Sequence, residues 1–102
     1  MFYITSTYRY GGTAVEAYTD EGEPYATCSI NLSDYGIIPE PGQIIIPTYQ
    51  FSEELNEKFI FDLAEEVIAT VPFGPYDAKG VLIRLKPEYQ LKDGEGNEQD
   101  NS

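Results

Sequence analysis

Apolar and polar residues alternate through most of the first third of this chain, and the alternation predicts a three-stranded meander. Phe2 to Tyr10 is rich in aromatic and β-branched residues, Gly11-Gly12 offers the positive φ angles of a two-residue hairpin turn, and Thr13 to Thr19 returns. That turn sets Tyr8 opposite Val15 and Ser6 opposite Ala17. It groups Ile4, Tyr8, Val15 and Ala17 on one face and leaves Arg9, Glu16 and Tyr18 on the other. The segment Pro24 to Leu32 alternates most cleanly, with Ala26, Cys28, Ile30 and Leu32 on one side and Tyr25, Thr27, Ser29 and Asn31 on the other. A four-residue loop over Asp20 to Glu23, with Gly22 left-handed, sets Ala17 opposite Ala26 and Val15 opposite Cys28. The apolar faces of the second and third strands then coincide.

Beyond Leu32 the period changes. Ser33 to Gly42 carries Pro39, Pro41 and two glycines and reads as a loop, followed by a short buried strand from Gln43 to Ile46 that Pro47 ends. Ser52 is placed to cap a helix whose first turn holds Glu53 and Glu54, and Leu55, Phe59 and Leu63 form its apolar stripe. Glu66 to Val71 either extends that helix or opens a strand; the β-branched run Val67, Ile68, Thr70 and Val71 favours the strand. After the breakers Pro72, Gly74, Pro75 and Gly80, the alternation of Val81, Ile83 and Leu85 with Leu82, Arg84 and Lys86 completes a wide hairpin over about residues 67 to 86. These elements predict an α+β fold: an antiparallel sheet, built from the N-terminal meander and the C-terminal hairpin, with one main helix packed on it. Residues 1–91 are expected to form one small domain. Residues 92–102, which are polar, rich in glycine, asparagine and acid and without an apolar side chain, are expected to be a disordered acidic tail.

Charge narrows the function. Eighteen Asp and Glu stand against six Lys and Arg, a net charge of −12, and the chain holds no histidine. A field of that sign repels nucleic acid and anionic membrane and draws in cationic surfaces. The surplus belongs to the body as well as the tail, since residues 1–90 hold 14 acids and five bases, 14 − 5 = 9 in excess. The alternative is a solvated acidic face without a partner. No apolar stretch is long enough to span a bilayer and the amino terminus lacks a basic flank, so a cytoplasmic place is expected. A single Cys28 suits that compartment, where the sequon Asn31-Leu32-Ser33 is incidental.

The block Ala14-Val15-Glu16-Ala17-Tyr18, followed by Asp20-Glu21-Gly22-Glu23-Pro24-Tyr25-Ala26-Thr27 and Ser29-Ile30-Asn31-Leu32, resembles the core signature of an uncharacterised family of small bacterial proteins. That family, a domain of unknown function, is carried on conjugative elements, plasmids and phages. The likeness covers residues 14 to 32 by motif and about residues 3 to 86 by order of elements. It implies an accessory protein of a mobile element and brings no catalytic residues.

Candidate chemistry is sparse. Acid–base work at neutral pH usually recruits His or a carboxylate raised by burial, a Ser nucleophile has no His or Lys partner in a recognisable motif, and a zinc site needs more than one Cys. Acidic pairs at helical spacing, such as Glu53 with Glu57, arise by chance among so many carboxylates. The segments Asp20 to Glu23 and Asp93 to Asp100 lack the alternate ligands and flanking helices of a calcium loop. No cofactor, metal or enzymatic activity is expected. Cys28, pointing into the core, reads as a small hydrophobe.

Three classes remain. The first is an inhibitor of a basic nucleic-acid-binding host defence protein, of the anti-CRISPR or anti-restriction type, whose carboxylates mimic phosphates. The second is an acidic adaptor or regulator of the element's own transfer or recombination proteins, and the third, disfavoured by the residue inventory, is a small enzyme. The partner-binding candidates are Asp20, Glu21 and Glu23 on the hairpin loop with Glu54, Glu57, Asp62 and Glu65 on the helix, the acids left in solvent on ordered elements. Tyr3, Tyr18 and Tyr25, on the meander face opposite the core, form either a second interface or a further half of the core.

Overall fold

The computed structural model describes residues 1–9 and 11–90, so the expectation of a disordered tail over 92–102 lies outside the described residues. Among the described residues six strands form two antiparallel sheets, and one main helix lies in sequence between the first two strands of the second sheet. The α+β class is the one the residue pattern predicts, but the meander and the hairpin occupy separate sheets. Strands β1 (Phe2–Thr7), β2 (Thr13–Tyr18) and β3 (Pro24–Thr27) make the first, in the order β1-β2-β3. Strands β4 (Gln43–Ile46), β5 (Ala64–Phe73) and β6 (Ala78–Leu85) make the second, with β6 central.

The β2–β3 register is as expected from Ala17 inward, but it shifts by one at Tyr18, which pairs with Pro24; the Thr19 amide donates to the Glu23 carbonyl at 2.9 Å, closing a three-residue connection where a four-residue loop was expected. Ala17 pairs with Ala26, and the Cys28 amide donates to the Val15 carbonyl at 2.8 Å. The β1–β2 register is not as expected. The Tyr8 amide bonds the Gly12 carbonyl, which closes a three-residue connection where a two-residue turn was expected, and Val15 pairs with Thr5. Glycine at the left-handed exit of a longer turn satisfies the backbone as well as glycine inside a two-residue turn, so the glycine pair does not discriminate between them. The slip is by an odd number of residues, and an odd slip turns every side chain of β1 to the other face. Tyr3 therefore packs on the core, while Ile4 is 47% exposed.

The third strand ends early. After Thr27 the chain crosses between the sheets: Cys28 bonds β2, and the Ile30 amide donates to the Ile45 carbonyl of β4 at 2.9 Å. This crossing turns Ser29 inward, against the alternation that placed it outside. Its Oγ accepts the Val15 amide at 3.0 Å and shares a 2.8 Å hydrogen bond with the Tyr8 hydroxyl, so the buried hydroxyl is satisfied.

The helix α1 (Glu53–Leu63) begins where its cap predicts. Ser52 is extended, and its Oγ accepts the Leu55 amide at 3.1 Å. Its stripe enters the shared core, where Phe59 and Leu63 join Val15, Ala17 and Cys28 of the first sheet and Ile44, Ile46, Ile83 and Leu85 of the second. Directly after Leu63 the chain becomes β5, settling the open choice in favour of the strand. Two expected breakers lie inside strands. Pro72 sits in β5, an edge strand where a missing amide costs no ladder bond on the solvent side. Gly80 sits in β6 because β4 approaches closely: a Cβ there would lie 2.6 Å from Ile45 Cγ2 and 3.0 Å from the Ile46 carbonyl oxygen.

Gly80 thereby gives a direct test of the β4–β6 approach. Gly80→Ala should lower stability by about 1–3 kcal/mol, the usual penalty of overpacking, read as a fall in the urea midpoint at unchanged slope. An unchanged midpoint would show that the two strands separate more easily than their geometry indicates.

Candidate functional site

The seven candidate acids do not form one set. Asp20, Glu21 and Glu23 stand exposed on the β2–β3 connection, and Glu54 and Glu57 stand exposed one turn apart on α1. Asp20 is engaged: its Oδ1 accepts from the Met1 amino group at 2.5 Å. That hydrogen bond and the amine's charge hold its carboxyl below the ordinary carboxylate range, with Lys58 contributing.

Asp62 and Glu65 depart from expectation. Asp62 was expected in solvent, yet its carboxylate is only 22% exposed and accepts from the Tyr3 hydroxyl at 2.5 Å and from Lys58 Nζ at 2.9 Å. Because β1 is flipped, Tyr3 reaches the helix, and Asp62 becomes the acceptor that satisfies its hydroxyl. Burial raises the Asp62 carboxyl, but the hydrogen bonds from Tyr3 and Lys58 and the charges of Lys58 and Lys86 outweigh it and leave it below the ordinary range. Burial likewise pushes the Tyr3 phenol well up, reinforced by the Asp62 hydrogen bond. Glu65 was expected on the helix but lies in β5, with Oε1 3.8 Å from Arg84 Nε, while Arg84 also pairs with Glu66.

The tyrosines divide in the same way. Tyr3 packs edge-on against Phe59 at 6.2 Å and Tyr89 at 5.7 Å, so it belongs to the core. Tyr18 stacks on Phe2 and donates to Glu16, and Tyr25 is half exposed. Sequence reasoning missed a second aromatic group. Tyr35, Tyr49 and Phe73, from three separate segments, meet with ring centroids 5.6–5.7 Å apart. The signal available for them was aromatic residues set among turn residues, as in Tyr35-Gly36 and Phe73-Gly74-Pro75-Tyr76.

Two features that suggest chemistry lead away from it. A cavity of about 220 Å³ beside Gly11 and Gly12 has apolar walls from Ile30, Ile37, Ile38 and Ile44. Its polar neighbours are committed internally, because Asn31 Oδ1 accepts the Ser33 amide and Gln43 Oε1 accepts the Glu40 amide. That leaves few groups to orient a ligand. Burial pushes the Cys28 thiol up to about 12, with Glu16 adding to the shift, so it is a poor nucleophile. Among the described residues no group of three or more Cys, Asp or Glu is placed to hold a metal ion, and no helix is long and apolar enough to cross a membrane. Comparison with protein-family models, curated proteins and solved structures gives no match.

Two measurements check this account. Asp62 has a folded-state pKa below its unfolded value, so its stabilisation is complete above the unfolded pKa of about 4 and disappears as pH falls through the lower, folded value. Asp62→Asn should cost about 1–2 kcal/mol at pH 7 and flatten the decline of Tm between roughly pH 5 and 2. An undiminished decline would assign acid sensitivity elsewhere. Cys28 should react with a disulfide reagent on the order of 100-fold faster in denaturant than in the native protein. Rapid native-state labelling would contradict its buried position.

Proposed function

We propose that the protein is an accessory protein of a bacterial mobile element or phage that binds and inhibits a basic, nucleic-acid-binding host defence protein in the cytoplasm. Its carboxylates take the places of phosphates in the partner's cationic channel. One observation carries this reading: acids that are exposed and without an ion pair crowd the first turns of α1 and recur on the β2–β3 loop. Glu21 and Glu23 on the loop and Glu53, Glu54 and Glu57 on the first turns of α1 are exposed and make no ion pair among the described residues. The cations at hand are used elsewhere, Lys58 on Asp62 and Arg84 on Glu65 and Glu66.

The physical logic is spacing. Helix positions three and four apart set neighbouring side chains about 5–6 Å from one another, within the range of phosphate separations along a nucleic-acid backbone. Glu53, Glu54 and Glu57 have that relation, and they sit at a capped, dipole-compatible helix start that holds acids without loss of stability. The likeness of residues 14–32 to a family of mobile-element proteins supports the choice of host and of adversary. Asp62 and Glu65 leave the contact set, because both already serve the fold.

Capture from a bacterial lysate at low salt, with mass spectrometry of what elutes as salt rises, should recover a nuclease. Its binding should fall at least about tenfold between roughly 50 and 200 mM salt and be competed by DNA or RNA. Glu54→Lys with Glu57→Lys should weaken binding at least tenfold, about 1.4 kcal/mol, in a protein whose circular dichroism is unchanged. Removal of residues 92–102 should cost little. Salt-insensitive binding would remove phosphate mimicry, and recovery of the element's own transfer proteins would favour the acidic adaptor.

A further inference from the structure

The aromatic group at the tip of the second sheet is held firmly and left open. Tyr35 ends the turn Ser33–Tyr35, pinned by bonds from the Tyr35 and Ile37 amides to the carbonyl of buried Leu32. Tyr49 lies in the turn Thr48–Gln50. That turn is tied to α1 by Asn56 Nδ2 donating to the Thr48 carbonyl at 3.0 Å, and to β6 by Thr48 Oγ1 donating to the Lys79 carbonyl. Phe73 closes β5 and touches both rings. The supports fix the rings, yet Tyr35 is 55% exposed, Tyr49 50%, and Tyr76 in the adjoining turn 92%. Three aromatic side chains meet here and a fourth, Tyr76, follows Phe73 by three residues; three of the four are half or more in water, more than the core requires.

Their setting selects the occupant. Asp34 precedes Tyr35 and Asp77 follows Tyr76, both exposed, on a body carrying nine more acids than bases over residues 1–90. Lys79 is the basic side chain nearby in sequence and is outnumbered. Aromatic faces flanked by carboxylates suit a cation that is planar and weakly hydrated, which stacks while its edge hydrogen-bonds an acid. That is arginine rather than lysine.

We propose that this corner is a docking site for an arginine-bearing segment of a basic protein, with the guanidinium stacked on Tyr35 or Tyr76 and paired with Asp34 or Asp77. The proposal rests on the acidic-docking reading above and adds a preference that charge alone does not give. A nucleic-acid strand, which also stacks on aromatic rings, is repelled by the same acids.

The test compares nona-arginine and nona-lysine peptides, titrated into the full chain at equal ionic strength and followed by amide NMR shifts. Arginine should bind about three- to fivefold more tightly, the scale of cation–π contact at exposed sites. Its shifts should include the amides of Tyr35, Tyr49, Phe73 and Tyr76, while lysine perturbs only the loop and helix acids. Tyr35→Ala with Tyr76→Ala should equalise the peptides, and Tyr35→Phe with Tyr76→Phe should keep the arginine preference. Tyr76 is so exposed that its single variant, Tyr76→Ala, remains folded and should already halve the preference. Equal binding by the wild-type protein, or a preference that survives the alanine pair, overturns this proposal and leaves acidic docking intact. Binding by neither peptide overturns both. Sedimentation showing self-association that Tyr76→Ala abolishes would assign the corner to a second copy of the chain and overturn it as well.

Discussion

Phe59 is the side chain on which the separate parts of this protein depend. It is fully buried on α1, meets Tyr3 of β1 and Phe51 edge-on, and sits in the core to which both sheets contribute. None of those parts is self-sufficient. A three-stranded sheet needs a covered apolar face, and an isolated helix of 11 residues is marginal in water. The two sheets cover each other, and Phe59 with Leu63 fills the space between them. Truncation at such a site typically costs about 3–5 kcal/mol, a large share of the stability of a domain this size.

Elements whose signals are local were legible in the sequence. Ser52 followed by two acids and a four-residue apolar repeat specified the helix start, and Gln43 to Ile46 before Pro47 specified β4. The two apolar alternations specified the β2–β3 pairing from Ala17 inward, while the length of the loop with Gly22 and the shift at Tyr18 were not legible. What was lost depends on contacts between distant segments. Two turn geometries compete for Gly11 and Gly12, and the choice between them decides whether Tyr3 faces water or the helix. Asp62 followed from that choice: its role as acceptor for Tyr3 is invisible until β1 is correctly turned. Gly80 reads as a breaker until β4 is known to press against it. The corner of Tyr35, Tyr49 and Phe73 joins residues up to 38 positions apart, so no local pattern announces it.

The site was partly legible for the same reason. Exposure of Glu54 and Glu57 follows from helical period alone, and exposure of Glu21 and Glu23 follows from a tight loop. Glu65 was misplaced because the helix yields to β5 at Leu63 without a glycine or proline to mark the change. The surviving acids gain meaning from the distribution of cations. Lys58 and Arg84 neutralise acids that the fold itself uses and leave Glu53, Glu54 and Glu57 at the helix start, with Glu21 and Glu23 on the loop, exposed without an ion pair among the described residues.

The outer strand β5 is irregular twice: its pairing with β6 skips Glu65 and then Ile68. It also exposes Val67 and Ile68 along an open edge, a combination that ordinarily seeds stacking of one molecule on another. Each skipped residue twists the strand and breaks the even spacing of its outward amides and carbonyls, and Pro72 removes a further donor. A newcomer strand would find no unbroken ladder to join. The exposed apolar edge is therefore a poor first layer for a fibril, because the interruptions deny an incoming strand the regular template that stacking requires.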